Sequence, residues 1–301
     1  MELTSFDGKK IYIHEWTEVE DPKGVVQIVH GMAEHAGRYE PYAKYLNAHG
    51  YIVVADDHRG HGRTDPNTLG YSPNDMYVNT VKDEEMICAH YQKKYVGLSY
   101  FLFGFSYGSF LTQSSLAQFG DKLDGAVIAG SNHKKDGEVT LGKLVSGLKC
   151  MFGGGKKPAK FIEKLSFGAY AKQFEDGQWL STDAENNAAY AADPYCGFTC
   201  SYHFYRSFFR GLRKLYTRDY IEKLPKVLPI LIVSGADDPV GEKGEGAKRL
   251  ARFYREKAGL RETQLRLFEG SRHEFLNETE GRELKWSIPL KFFDKVSVQK
   301  E

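Results

Sequence analysis

Apolar and polar positions along this chain follow two different periods. Short, almost unbroken apolar runs, many of them β-branched, occur at Gly24 to His30 (GVVQIVH), Tyr51 to Asp57 (YIVVADD), Ser99 to Gly104 (SYFLFG), Leu123 to Ser131 (LDGAVIAGS), Val227 to Gly235 (VLPILIVSG) and Gln264 to Gly270 (QLRLFEG). Runs of this length with no polar face suit central strands buried on both sides. Between them the period lengthens: Tyr77, Val81, Cys88, Tyr91 and Tyr95 fall at helical spacing before the third run, and GAKRLARFYREKAG does so before the last. This alternation predicts an α/β architecture, a mostly parallel sheet covered by helices. The first residues differ, because ELTSFDGKKIYIHEW reads as a hairpin turning at Asp7-Gly8, a dipeptide that tolerates positive φ.

One interval breaks the rhythm. From Asn132 to Asp219 no clear sheet strand appears, and the stretch is far longer than an ordinary loop. It predicts an inserted, mainly helical cap at residues 133–218, leaving a core domain of residues 1–132 and 219–301.

Composition narrows the class. With 301 residues, 41% hydrophobic and 14% aromatic, the chain can bury one large core. A net charge of +1 gives no chain-wide field for nucleic acid. The charge is uneven, however: between Lys134 and Arg218 there are 14 Lys and Arg against 8 Asp and Glu, so the cap carries +6 and the remainder −5. Such asymmetry would draw anionic headgroups or a membrane surface toward the cap, although the plainer expectation is a solvated basic face. The start of the chain has no signal-peptide pattern, and no run approaches the roughly 20 apolar residues of a spanning helix. Cys88, Cys150, Cys196 and Cys200 do not form a disulfide pattern. These features together point to a reducing cytoplasm.

The chemistry centres on Ser106. An apolar strand enters Gly104-Phe105-Ser106-Tyr107-Gly108 and a helical pattern leaves through Leu111, Ser115 and Leu116, which is the context of a nucleophile elbow. The motif alone is short, and a serine there would equally serve as a helix cap. A catalytic serine needs a base and a group orienting that base, in the chain order Ser, acid, His. The strand ending at Gly235 is followed by ADDPVG, offering Asp237 and Asp238, and the strand ending at Gly270 is followed by SRHEFLNE, offering His273. An oxyanion hole requires two backbone N–H donors. Tyr107, directly after the serine, supplies one. The loop VHGMAEHAGRYE supplies the other, where Gly31 lets the chain turn and presents the Met32 amide.

Taken in order, HGMAEHAGRYE, DDHRGHGRTD, GFSYGS, SGADDPVG and SRHEFLNE resemble the monoacylglycerol lipase and lysophospholipase branch of the α/β-hydrolases, a serine aminopeptidase-like group. In that family the acid stands three positions after the strand-ending glycine, which selects Asp238. The resemblance implies an α/β-hydrolase fold, a triad of Ser106, Asp238 and His273, and Met32 and Tyr107 as oxyanion donors. It departs from the family at Phe105 and Tyr107, where His and Met often flank the serine.

Acyl transfer on such a triad needs no metal or organic cofactor. DDHRGHGRTD gathers Asp56, Asp57, His58, His61 and Asp65, but its glycines and arginine suit a hydrogen-bonded scaffold better than a metal site. Cys196, Cys200 and His203 lack a fourth ligand at any zinc spacing. GGGKKP lacks the phosphate-loop spacing and reads as a hinge or mobile loop. In the cap, Tyr195, Phe198, Tyr202, Tyr205 and Phe209 recur every three or four positions and read as packing, while a second row, Phe204 and Phe208, is the candidate acyl-pocket lining. The expected activity is hydrolysis of monoacylglycerols, lysophospholipids or small esters. An aminopeptidase or amidase using the same triad, and a non-catalytic receptor on the same scaffold, are the alternatives.

Overall fold

The computed structural model describes residues 1–133 and 136–298. Eight strands form one sheet: β1 (Glu2–Thr4), β2 (Lys10–Trp16), β3 (Gly24–Val29), β4 (Tyr51–Asp56), β5 (Ser99–Phe105), β6 (Gly125–Ala129), β7 (Ile230–Gly235) and β8 (Thr263–Phe268). Their order is β1-β2-β4-β3-β5-β6-β7-β8. The predicted hairpin forms the antiparallel edge, and β3 to β8 run parallel. Strands β3 to β7 are buried along their whole length, as their unbroken apolar runs require. β8 closes the far edge and alternates exposed and covered residues, with Gln264 and Arg266 on the wet side.

Neighbouring residues of a strand face opposite sides of the sheet, and the core divides accordingly. Val25, Val29, Tyr100 and Leu102 join one cluster; Val26, Ile28, Phe101 and Phe103 join the other. The first is covered by α2 (Met76–Lys94) and α3 (Tyr107–Phe119), the second by α1 (Glu40–Ala48) and α10 (Arg282–Val298). The Asp75 side chain caps α2 by accepting from the Val78 N–H. α9 (Glu245–Arg252) precedes β8.

Between β6 and β7 the chain inserts α4 (Asp136–Met151), α5 (Lys160–Ala171), α6 (Ala184–Ala192), α7 (Tyr202–Leu212) and α8 (Arg218–Lys223), where the cap was expected over residues 133–218. α7 seats directly on α2. A Cβ on Gly211 would lie 2.2 Å from the Tyr77 ring, so only glycine allows this approach, and Ser207 Oγ accepts from the Tyr77 N–H at 2.8 Å. Residues around GGGKKP are hydrogen-bonded to the start of α7: the Tyr202 N–H donates to the Lys157 carbonyl and the His203 N–H to that of Gly155. Among the described residues no helix is long and apolar enough to cross a membrane.

Candidate active site

Ser106 stands between β5 and α3 with φ 53° and ψ −117°, a conformation that costs a non-glycine residue of order 1–3 kcal/mol. The flanking glycines make the turn feasible. A Cβ on Gly108 would sit 1.9 Å from the Val29 carbonyl oxygen, and one on Gly104 would sit 2.1 Å from Thr112 Oγ1. The strained turn lifts the serine from the carboxyl end of the central strand.

His273, in the loop after β8, reaches across to it, with Nε2 2.8 Å from Ser106 Oγ. On its other side Nδ1 lies 2.9 Å from Asp238 Oδ1, a close approach that is not well aligned as a hydrogen bond. Asp238 is fully buried after β7 and its carboxylate accepts from the Val240 N–H at 2.8 Å and from Ser234 Oγ at 3.2 Å. Asp237 is exposed. The three residues selected in the sequence therefore meet, although they come from three different strand ends.

The loop after β3 lies against the same serine. A Cβ on Gly31 would come within 3.3 Å of Ser106 Cβ. Glu34 Oε1 accepts from the Gly31 N–H at 2.5 Å, and His61 Nε2 accepts from the Ala33 N–H at 3.2 Å. These contacts bracket Met32, whose own N–H meets no protein acceptor among the described residues. Tyr107 is the first residue of α3, where helix geometry leaves the N–H without an intrahelical partner. Burial and the neighbouring His58 push the His61 imidazole down to about 3, so it stays a neutral acceptor for Ala33.

Ser106 opens into a cavity of about 850 Å³ between sheet and cap. Its wall is mainly apolar and takes Phe110 from the core with Phe167, Trp179 and Leu212 from the cap. Here the two aromatic rows sort differently from the sequence expectation. Phe208 lines the cavity, as do Tyr205, Phe209 and Phe198 from the row read as packing. Phe204 does not line it: fully buried, it packs against Tyr107 and His61, because α7 turns that side chain toward the sheet.

With this geometry in place, the comparisons are specific. Residues 20–280 match the serine aminopeptidase S33 family. The chain belongs to that family. Human monoglyceride lipase is 26% identical over 273 residues, 90% of this chain and 82% of that one. The monoacylglycerol lipase of Mycolicibacterium smegmatis is 31% identical over 188 residues, and the match spans 62% of this chain and 61% of that protein, less than two thirds of its length. A thermostable carboxyl esterase from Bacillus coagulans, solved with glycerol, superposes with a TM-score of 0.88 at 27% identity over 99% of this chain and 98% of its own. The monoglyceride lipase of Saccharomyces cerevisiae, at 20% identity and a TM-score of 0.77 over 98% and 94% of the two chains, shares the fold.

This S33 family member also contains polar clusters whose assembly was not visible in its sequence. Arg38 binds both carboxylate oxygens of Glu274 at 2.7 Å and Glu34 Oε2 at 2.6 Å, and Asn186 of α6 donates to Glu274 at 2.7 Å. Burial works against the charge on Arg38, but Glu274 and Glu34 outweigh it and hold the guanidinium firmly protonated. Burial alone would raise Glu274, yet Arg38 holds its carboxyl below the ordinary range. The only sequence signal was the i,i+4 spacing of Glu34 and Arg38. Beneath the loop, His58 Nδ1 lies 2.9 Å from Asp56 and 3.4 Å from Glu84, and Glu84 accepts from Gln27 at 2.6 Å. Asp56, His58 and Glu84 are close enough to be considered as metal ligands, as are His14, His35 and Asp57. In the first group Asp56 is hydrogen-bonded to His58, and in the second Asp57 is bonded to His14 and accepts from the Ala36 and Arg63 N–H groups.

Proposed function

We propose that this S33 family member is a carboxylester hydrolase of monoacylglycerols, lysophospholipids or related small esters, working through an acyl-enzyme on Ser106. The observation that carries this reading is the hydroxyl–imidazole–carboxylate chain of Ser106, His273 and Asp238 at the edge of an apolar cavity. Ser106 Oγ attacks the acyl carbonyl and His273 Nε2 takes its proton. The Met32 and Tyr107 N–H groups receive the oxyanion. The carbonyl–oxygen bond of the ester then breaks, and His273 returns the proton to the departing alcohol. Water attacks the acyl-enzyme by the same route and releases the acid.

The relatives favour esters over peptides: those compared are a monoglyceride lipase, a monoacylglycerol lipase and a carboxyl esterase. An aminopeptidase would need free carboxylates to hold a substrate ammonium. Glu34 and Glu274 do line the cavity, but neither is free, because both are ion-paired with the single Arg38 guanidinium. Residues 133–218 serve as the cap domain in this reading, and the free cysteines suit a reducing cytoplasm. Leu144, Leu148, Met151, Phe152, Phe161 and Leu165 are exposed on α4, α5 and the turn after α4. Lys149, Lys156, Lys157, Lys160 and Lys164 are exposed among them. That mixture suits weak contact with an anionic lipid surface.

A fluorophosphonate probe tests the assignment. It is expected to label wild-type protein at Ser106, and Ser106→Ala is expected to lose both labelling and hydrolysis of p-nitrophenyl esters. Labelling that persists in Ser106→Ala would sink the nucleophile. Hydrolysis of aminoacyl substrates but not esters would favour the peptidase.

A further inference from the structure

The cap is fastened to the loop that carries His273. The Arg272 guanidinium binds Asp176 at 2.7 Å, and the Glu274 N–H donates to the Leu180 carbonyl at 2.6 Å. Glu278 Oε1 accepts from the N–H groups of Arg272 and Thr182 at 3.0 and 3.2 Å, and Asp183 accepts from the Thr279 N–H at 3.1 Å. The cap segment from 176 to 183 is thus paired with residues on both sides of His273. It places one aromatic ring beside the imidazole: the Trp179 and His273 centroids are 5.3 Å apart with planes inclined by 33°. Phe105 meets the same imidazole from the core at 4.8 Å and 40°. Trp179 is itself held by Phe167 of α5, stacked at 5.1 Å and 18°, and by Tyr170 at 5.4 Å.

We infer that Trp179 is a positioning residue for His273, an aromatic partner through which the cap takes part in proton transfer as well as in substrate selection. This inference rests on the Ser106 and His273 reading. A neutral imidazole gains little from an aromatic face beyond packing. Once it accepts the Ser106 proton it becomes a cation, and the negative face of a π-system attracts cations, tryptophan most strongly. An interaction that strengthens only as the imidazolium forms lowers the barrier without tightening substrate binding, so it acts on kcat rather than KM. The paired strap fixes the indole, so its position need not be reorganised during the reaction.

Trp179→Ala, Trp179→Leu and Trp179→Phe test this against wild type, with p-nitrophenyl acetate and decanoate and with the rate of fluorophosphonate labelling. A cation–π contribution of ordinary size predicts that Trp179→Leu loses roughly 5- to 30-fold in kcat. The loss is expected for both esters alike, with KM for acetate nearly unchanged and labelling slowed in parallel. Trp179→Phe, which keeps an aromatic face, is expected to recover most of the rate. Leu and Phe both retain bulk in the wall, so their comparison stands even if the Ala variant is poorly folded. Three results overturn the inference: a Leu variant as fast as wild type, a Phe variant no better than Leu, or a loss that grows with acyl length. A wild-type protein that is never labelled overturns the Ser106 reading instead.

Discussion

Asp237 and Asp238 are adjacent in sequence and chemically alike, yet only one faces the histidine. Asp238 is buried with its carboxylate fixed by the Val240 amide, whereas Asp237 points to solvent. If Asp238 sets the tautomer of His273, Asp238→Asn should lower kcat by roughly 10⁴-fold, as loss of the aspartate does in serine hydrolases generally. Asp237→Asn should stay close to wild type, and steady-state kinetics on both variants separates them. At this scale the sequence was informative where a residue's placement follows from a strand end. Ser106, Asp238 and His273 each follow an apolar run closed by a glycine or by a short elbow motif. It was silent about the pairing of Arg38 with Glu274, because the two are 236 positions apart and only the folded sheet brings them together. Trp179 was illegible for the same reason: nothing local marks a cap tryptophan as the neighbour of a histidine in another loop.

Elements of the sheet were legible because each buried strand is short, apolar and punctuated. The run beginning at Val227 starts pairing only at Ile230, after Pro229, which has no N–H to give to the ladder. α7 was harder, since its five aromatic residues crowd one side of the helix and periodicity alone does not say which neighbour each faces. The structure separates two of them, and so do two variants. Phe208→Ala removes cavity wall and should cost decanoate more than acetate in kcat/KM, by up to ~0.8 kcal/mol per methylene that loses contact. Phe204→Ala should lower stability by about 3–5 kcal/mol without discriminating by chain length, measured by chemical denaturation alongside the ester panel. Equal chain-length effects in the two variants would contradict this division.

A second element-scale prediction concerns the contact of β4 with α2. Burial, reinforced by Asp56, raises the Glu84 carboxyl well above its ordinary range, and its Oε1 has no hydrogen-bond partner. A group whose native pKa exceeds its unfolded value contributes its full stability below the unfolded value, roughly 4.3 for Glu, and loses it as pH rises through the native one. His58 works in the same direction. Burial opposes its charge, but Asp56 raises it above the usual imidazole range, so its contribution also fades as pH rises. Glu84→Gln mimics the protonated carboxyl. It should flatten the alkaline fall in stability, where one proton contributes a slope of up to about 1.4 kcal/mol per pH unit. Urea denaturation from pH 5 to pH 9 measures it, and parallel curves for variant and wild type would refute the role assigned to Glu84.

For the whole molecule, the opposed charges of cap and core give the particle a direction. The exposed lysines of the cap surround exposed leucines and phenylalanines, so vesicles containing phosphatidylserine should bind more protein than neutral vesicles. Each lysine near such a surface contributes about 1 kcal/mol, and salt at ~0.5 M should remove most of the difference through screening. Co-sedimentation with the two vesicle types decides it, and binding insensitive to both lipid charge and salt would count against the basic cap. This architecture was legible only in outline: the charge count was visible in the sequence, but which apolar side chains stay exposed depends on how α4 and α5 pack.

The same insertion orders events in time. β6 pairs with β7 from Ala126 opposite Ile230, so all of residues 130–229 must be made before the sheet can extend past β6. Ser106 lies on the early side of that seam, and Asp238 and His273 lie on the late side. Closing so large a loop costs little more free energy than closing a small one, since the penalty grows only logarithmically, but non-local pairing is slow. A chain emerging from the ribosome therefore carries its serine for most of its synthesis without a base to activate it. The proposed triad is assembled last, when the strand before His273 docks and the inserted helices are already there to receive the histidine loop.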